Sequence, residues 1–288
     1  MWSAVFQDFL SIALELTLLF IGISFAISLL QGFIPYQKLE KYLSGKNTAL
    51  GAVMALVFAF VTPFCSCSTI PVVVNLLNKK VRFGIVMIFL FASPVLDPTI
   101  ITLMGAMLGV KVAVAYTVIT SVLSVLIGFV LERLGFEKQV KHVVMTGYKE
   151  PGNGFSIKGA LAETFSLMKS VYPYLIIGAA IGSVIHGAVP TEWITTYMGG
   201  NQWWMVPVAA IIGIPLYIRL STMIPISQIM IAKGMAIAPV MALMISSAGA
   251  SLPELTLLNS IFKKRLVGAF VASVFTMSTI SGLLFYLI

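Results

Sequence analysis

The sequence predicts an all-α integral membrane protein made of two inverted-topology repeats. Each repeat has about five membrane segments, with broken or re-entrant helices. Three observations carry the prediction. Of the 288 residues, 59% are apolar and 10% charged. An average soluble domain carries about 25% charged residues, so this chain cannot cover a water-facing surface. Several apolar runs reach the roughly 20 helical residues needed to cross a hydrocarbon core. Finally, the chain repeats itself at a nearly constant offset, with opposite charge bias in matching loops.

The first span covers 11–31, with one carboxylate, Glu15, near its start. Asp8 and Glu15 precede the first basic residue, Lys38. A secretory leader begins with a basic stretch, so this run reads as a retained span. A basic loop over 38–46 leads to a hairpin over 49–78, which ends at Lys79, Lys80 and Arg82. A crossing over 83–109 follows, then 112–131, which contains no Asp, Glu, Lys or Arg. Residues 135–159 are polar, with Gly147, Pro151, Gly152 and Gly154, and read as a linker. The run 170–189 starts the second set, a hairpin over 203–232 continues it, and 266–288 closes it without Asp, Glu, Lys or Arg. The expected organisation is a first membrane repeat at 1–134, a cytoplasmic linker at 135–159 and a second membrane repeat at 160–288.

The repeat shows in four matches. Pro35 to Gly45 resembles Pro190 to Gly200 at an offset of 155. Ser68-Thr69-Ile70-Pro71 resembles Ser221-Thr222-Met223-Ile224-Pro225 near 154. Ala92-Ser93-Pro94 falls on Ser246-Ser247-Ala248, and Asp97-Pro98 falls close to Pro253-Glu254. The loop over 38–46 is basic and its counterpart over 191–202 is not; Lys111 stands alone where the counterpart has Lys263, Lys264 and Arg265. Such opposition is expected of halves that cross in opposite senses. With both termini outside, 15 of the 18 basic residues lie in the cytoplasm, Lys111 and Lys233 lie outside, and Arg219 lies at membrane depth. The net charge of +8 is therefore a topology signal, and no nucleic-acid partner is expected.

Helix breaks at membrane depth must line a cavity or be buried in protein. One break is Thr62-Pro63-Phe64-Cys65-Ser66-Cys67-Ser68-Thr69-Ile70-Pro71, where Ser68 is a natural N-cap and Pro71 can open a helix. Another is Ser93-Pro94-Val95-Leu96-Asp97-Pro98. The second half repeats both, over 215–225 and 246–254. Registering Pro71 on Pro225 sets Cys65 opposite Arg219. A guanidinium and half-helix N-termini would favour a thiolate there. The candidate substrate-binding residues are Cys65, Ser66, Cys67, Ser68, Asp97, Arg219, Ser221, Thr222 and Glu254. Each has an ordinary alternative: the cysteines as small packing residues, Asp97 as a loop carboxylate, Arg219 as a snorkelling or capping side chain. No catalytic residue, resident metal or cofactor is expected, and the chain does not read as an enzyme.

The run Thr-Pro-Phe-Cys-Ser-Cys-Ser-Thr-Ile-Pro at 62–71, a basic turn, and Ala-Ser-Pro at 92–94 resemble the two-cysteine predicted-permease family that includes the organoarsenical efflux permeases. The resemblance spans nearly the whole chain and places Cys65 and Cys67 on the family's cysteine pair. It implies a multi-pass permease of the cell inner membrane and, in one branch, export of trivalent organoarsenicals. Leu96-Asp97-Pro98 departs from that branch. Trivalent arsenic is soft and prefers thiolates, which suits a cysteine pair. The absence of a Gly-x-x-x-x-Gly-Lys-Ser pattern points to secondary transport. The expected partners are a small-molecule or metalloid solute and the lipid bilayer; homo-oligomer formation is left open. Two alternatives compete: a permease for a sulfur-containing small anion, and a membrane dithiol redox protein.

Overall fold

The computed structural model describes residues 48–61, 66–78, 80–141, 202–215 and 234–287, with positions 14, 17, 18, 21, 223, 224, 227, 228, 230 and 231. The first span, most of the linker and the run 170–189 lie outside the described residues. Helices are numbered here among the described residues. They are α1 (Thr48–Val61), α2 (Ser66–Asn78), α3 (Phe83–Ala92), α4 (Pro98–Met107), α5 (Val110–Arg133), α6 (Met205–Gly213), α7 (Ile237–Gly249), α8 (Leu252–Ile261) and α9 (Lys264–Leu284). No strand occurs among the described residues; one isolated bridge joins Val140 and Phe262.

The helices are apolar on the outside. Along α5, Val110, Val114, Val118, Val122, Leu126 and Val130 are all exposed, a stripe at every fourth residue. Its opposite face buries Ala113, Tyr116, Thr120, Ser124 and Gly128. A water-soluble protein does the reverse, whereas lipid tails accept valine and leave helix contacts to small and polar groups. Val110–Arg133 and Lys264–Leu287 are each 24 residues long, with mean hydropathy 2.3 and 1.7, enough by length and composition to cross a membrane. In α3 all ten residues are buried, as expected of a helix apolar on every side.

The elements recur at one spacing. α3 and α7 begin at Phe83 and Ile237, α4 and α8 at Pro98 and Leu252, α5 and α9 at Val110 and Lys264. Every start is 154 residues after its counterpart. The packing recurs too: α3 lies on α5 and α1, and α7 lies on α9 and α6. Glycines mark the same seam in each set. A Cβ on Gly128 would come within 2.8 Å of the Gly84 carbonyl and 2.5 Å of Ile88; one on Gly282 would come within 2.9 Å of the Ala238 carbonyl and of Ala242. These contacts also correspond at 154.

The two sets meet end to start. Beyond Arg133 the chain makes a 3-10 turn, Phe136–Gln139, and returns along the corner between α8 and α9. The Lys263 N–H donates to the Gln139 carbonyl and the Lys141 N–H to the Ile261 carbonyl, each at 2.9 Å. The Lys141 ammonium also donates to the Asn259 carbonyl. So the end of α5 lies beside the start of α9, and α5 touches α9 directly. The sequence predicts a linker from residue 135, yet its first residues are held by backbone pairing.

Arg82 reaches into this same pole, bonding Glu132 at 3.2 Å and Thr48 at 2.6 Å. The pole therefore gathers Lys80, Arg82, Arg133, Lys138, Lys141, Lys263, Lys264 and Arg265. Among the described residues only Lys111 carries a basic side chain at the other pole. There Gly109, at φ +100°, turns the chain from α4 into α5, a conformation open to glycine without strain. The Tyr286 hydroxyl donates to the Gln202 carbonyl at 3.2 Å on that side, the positional counterpart of the Glu132–Arg82–Thr48 chain.

Candidate functional site

The first break follows α3. The backbone leaves the helix at Ser93, where the Ser93 N–H still donates to Phe89 and the Leu96 N–H to Ala92. It re-enters at Pro98, whose missing N–H costs nothing in the first turn. The Asp97 carbonyl accepts from Ile100 at 3.1 Å and Ile101 at 3.0 Å, so Asp97 caps α4. With about 1.5 Å of rise per residue, ten residues of α3 on one side and ten of α4 on the other put the break near half the depth of the 24-residue α5. Asp97 is half-buried and is an electrostatic neighbour of the buried Tyr116 on α5.

The second break follows α7. Ala250 and Ser251 leave the helical conformation, and the axes of 237–249 and 254–261 diverge by 44°. Ser246 and Ser247 donate back to the carbonyls of Leu243 and Met244. Glu254 is 1% exposed and lies in the first turn of α8, where free backbone N–H groups favour a carboxylate. Ser251-x-x-Glu254 has the spacing of a capping box, but the Ser251 side chain makes no cap bond. Helix starts align Asp97 with Ser251, two residues before the Pro253-Glu254 match expected from sequence. The difference is where the proline sits, first in α4 and second in α8, both positions without an intrahelical N–H bond to lose.

The cysteine segment is seen in part. Cys65, Arg219, Ser221 and Thr222 lie outside the described residues. The backbone of Ser66, Cys67 and Ser68 forms the first turn of α2. The helix thus starts before Ser68, the expected N-cap, and Pro71 falls inside it rather than at its start. A proline there has no N–H to give the Cys67 carbonyl four residues earlier. α2 packs against α3 and, across the two sets, against α8, which carries Glu254. Asp97 is an electrostatic neighbour of Tyr116 on α5.

Three buried polar groups did not stand out in the sequence. The Tyr116 hydroxyl, the Ser93 hydroxyl and the Asn75 side-chain oxygen are buried without a hydrogen-bond partner among the described residues. Such groups are rare in protein interiors and call for a reason, water or solute among them. Asn75 is on α2, Ser93 is at the first break and Tyr116 is beside Asp97, so all three adjoin elements of the candidate site. Asn75 could have been found as an amide in an apolar helix; Tyr116 carries no such mark.

The family profile of the predicted permeases ArsP_1 matches residues 1–287. The chain belongs to this permease family. The permease is 24% identical to UPF0718 protein MJ0584 of Methanocaldococcus jannaschii, covering 83% of each chain. It is 29% identical to UPF0718 protein YraQ of Escherichia coli K12, covering 85% of the permease and 71% of YraQ. A Streptococcus mutans protein described as a putative two-component membrane permease complex subunit is 23% identical, over 88% of the permease and 82% of that chain. No solved structure matches the permease. The family and the lipid-type helix surfaces agree on a membrane protein of transport type.

Proposed function

We propose that the chain is a multi-pass secondary permease of the cell inner membrane whose two halves, 1–134 and 160–288, cross in opposite senses. The observation that carries this reading is the meeting of α5 and α9. They are counterparts at a spacing of 154, yet the end of one lies beside the start of the other. Counterpart helices that run in opposite senses are what inversion produces. The gathering of basic side chains at one pole supports placing that pole in the cytoplasm.

The cargo we propose is a small thiol-reactive solute held by Cys65 and Cys67, with trivalent organoarsenicals as the first candidate from the family resemblance. The start of α2 at Ser66 supports the choice, because Cys67 then sits in a first turn and Cys65 just before it. Anionic sulfur is favoured at a helix N-terminus. A mono-organo arsenic(III) centre has two exchangeable positions, and two thiolates can fill them reversibly. Arg219, Ser221, Thr222, Ser66, Ser68, Asp97 and Glu254 would complete the site. The deciding experiment measures uptake of a trivalent methylarsenical into everted membrane vesicles. Parent chain should carry it and the Cys65→Ser/Cys67→Ser variant should not. Equal flux in both would remove the thiols from the mechanism. Thiosulfate competing better than the arsenical would shift the cargo to a sulfur-containing anion.

A further inference from the structure

At the pole with few basic residues, a cavity of about 480 Å³ opens between the two sets of helices. Met107, Leu108 and Val112 line it from the first set, and Ile231, Ile237 and Met241 from the second. Its polar group is Gln228, whose amide donates to the Met107 carbonyl at 2.5 Å. No charged side chain lines it among the described residues. The size suits a small molecule, but the walls offer an ion no charged partner and a thiophilic solute no thiol, only the weak thioethers of Met107 and Met241. The space is better suited to passage than to binding.

The spacing of 154 gives each wall residue a counterpart at the basic pole. Leu108 corresponds to Phe262, Val112 to Leu266, Ile237 to Phe83 and Met241 to Met87. There the same positions are packed shut. Phe262 and Leu266 are 0% exposed and Phe83 is 3% exposed, whereas Leu108 and Val112 are half-buried and Ile237 is 39% exposed; Met87 and Met241 are both fully buried. The backbone pairing of 139–141 with 261–263 closes over this packing from outside. The side chains behind the two walls also differ. Met104, Met230, Met235 and Met244 are buried near the open cavity, where their counterparts at the closed pole are Leu258, Leu76, Val81 and Leu90. Methionine adapts its shape to irregular gaps, and branched residues pack one way. The core behind the open wall can re-pack more readily than the core behind the closed one.

We infer that the cavity is the outer mouth of the permeation path, and that the packed cluster of Phe83, Met87, Phe262 and Leu266 is its closed inner gate. The structure is thus the outward-open form of the protein. The inference rests on the inverted-halves reading proposed above, and it adds which pole is open and which residues seal the other.

The test is one of access. In a Cys65→Ser/Cys67→Ser background, single cysteines are placed by Ile231→Cys or Ile237→Cys in the mouth and by their counterparts Leu77→Cys or Phe83→Cys at the gate. A membrane-impermeant trimethylammonium methanethiosulfonate is applied to whole cells and to everted membranes. The mouth pair should react from outside roughly tenfold or more faster than the gate pair from either face. All four should react alike after unfolding in detergent, which controls for expression and folding. Adding Phe262→Ala should let Phe83→Cys react from the cytoplasmic face. Equal rates at mouth and gate would overturn the inference, as would mouth cysteines that react only with lipid-soluble N-ethylmaleimide, the sign of a lipid-filled groove. Labelling reads no flux. If the parent chain transports yet the variants label evenly, the gate alone is lost; if the variants label as expected and the parent chain does not transport, the cargo reading alone is lost.

Discussion

Single atoms decide several properties of this protein. Gly128 and Gly282 face backbone carbonyls, which cannot step aside as the tip of a flexible side chain can. Gly128→Val or Gly282→Val should overpack the seam and cost about 1–3 kcal/mol, read as a lowered melting temperature of the protein in detergent. The same substitution at Gly268, where a Cβ would meet nothing within 4 Å, should leave melting nearly unchanged. Tyr116→Phe makes a different point. It removes a buried hydroxyl that bonds to nothing among the described residues, so stability should hold or rise by up to about 1 kcal/mol. If the hydroxyl meets solute or water beside Asp97, vesicle uptake should nevertheless fall severalfold. Loss of both stability and uptake would make Tyr116 a structural residue.

At the scale of elements, the pairing of 139–141 with 261–263 ties the end of one set of helices to the other. Lys141→Pro removes the N–H that donates to Ile261 and also the ammonium bond to Asn259. Val140 is already extended, at φ −72° and ψ 137°, as a residue before proline prefers, so the change should not strain the backbone. Amide exchange at Lys263 should quicken, while amides inside α5 keep their protection. This pairing was not legible in the sequence, because backbone bonds need no particular side chains and the stretch shows only polarity. The helices themselves were largely legible. The run at 112–131 became Val110–Arg133, and the run at 266–288 became a helix from Lys264. The break at Pro94 to Asp97 showed in its prolines. The start of α2 did not, since Ser68 and Pro71 both look like helix openers and the helix begins ahead of them.

For the molecule as a whole, the membrane class followed from composition, and the described helix starts recur at 154, close to the offset of the short sequence matches. The site was less legible: sequence names polar residues at breaks, but not which neighbour each one meets, so Asp97 turned out to sit with Tyr116. Orientation is open to direct test. A reporter fused after residue 141 should read as cytoplasmic and one fused after Ile288 as external, because α9 starts at the basic pole and, with the turn after it, runs 24 residues away from it. Matching signals at the two sites would break the proposed arrangement. The common spacing of 154 also speaks to descent. On the proposed inverted arrangement, two halves of one design would point back to an ancestor half as long that assembled as an antiparallel pair of identical chains. Such an ancestor would have needed almost no charge bias for its copies to enter the membrane both ways. Fusion would have lifted the restriction and left each half free to gain the lysines and arginines that fix a single orientation for good.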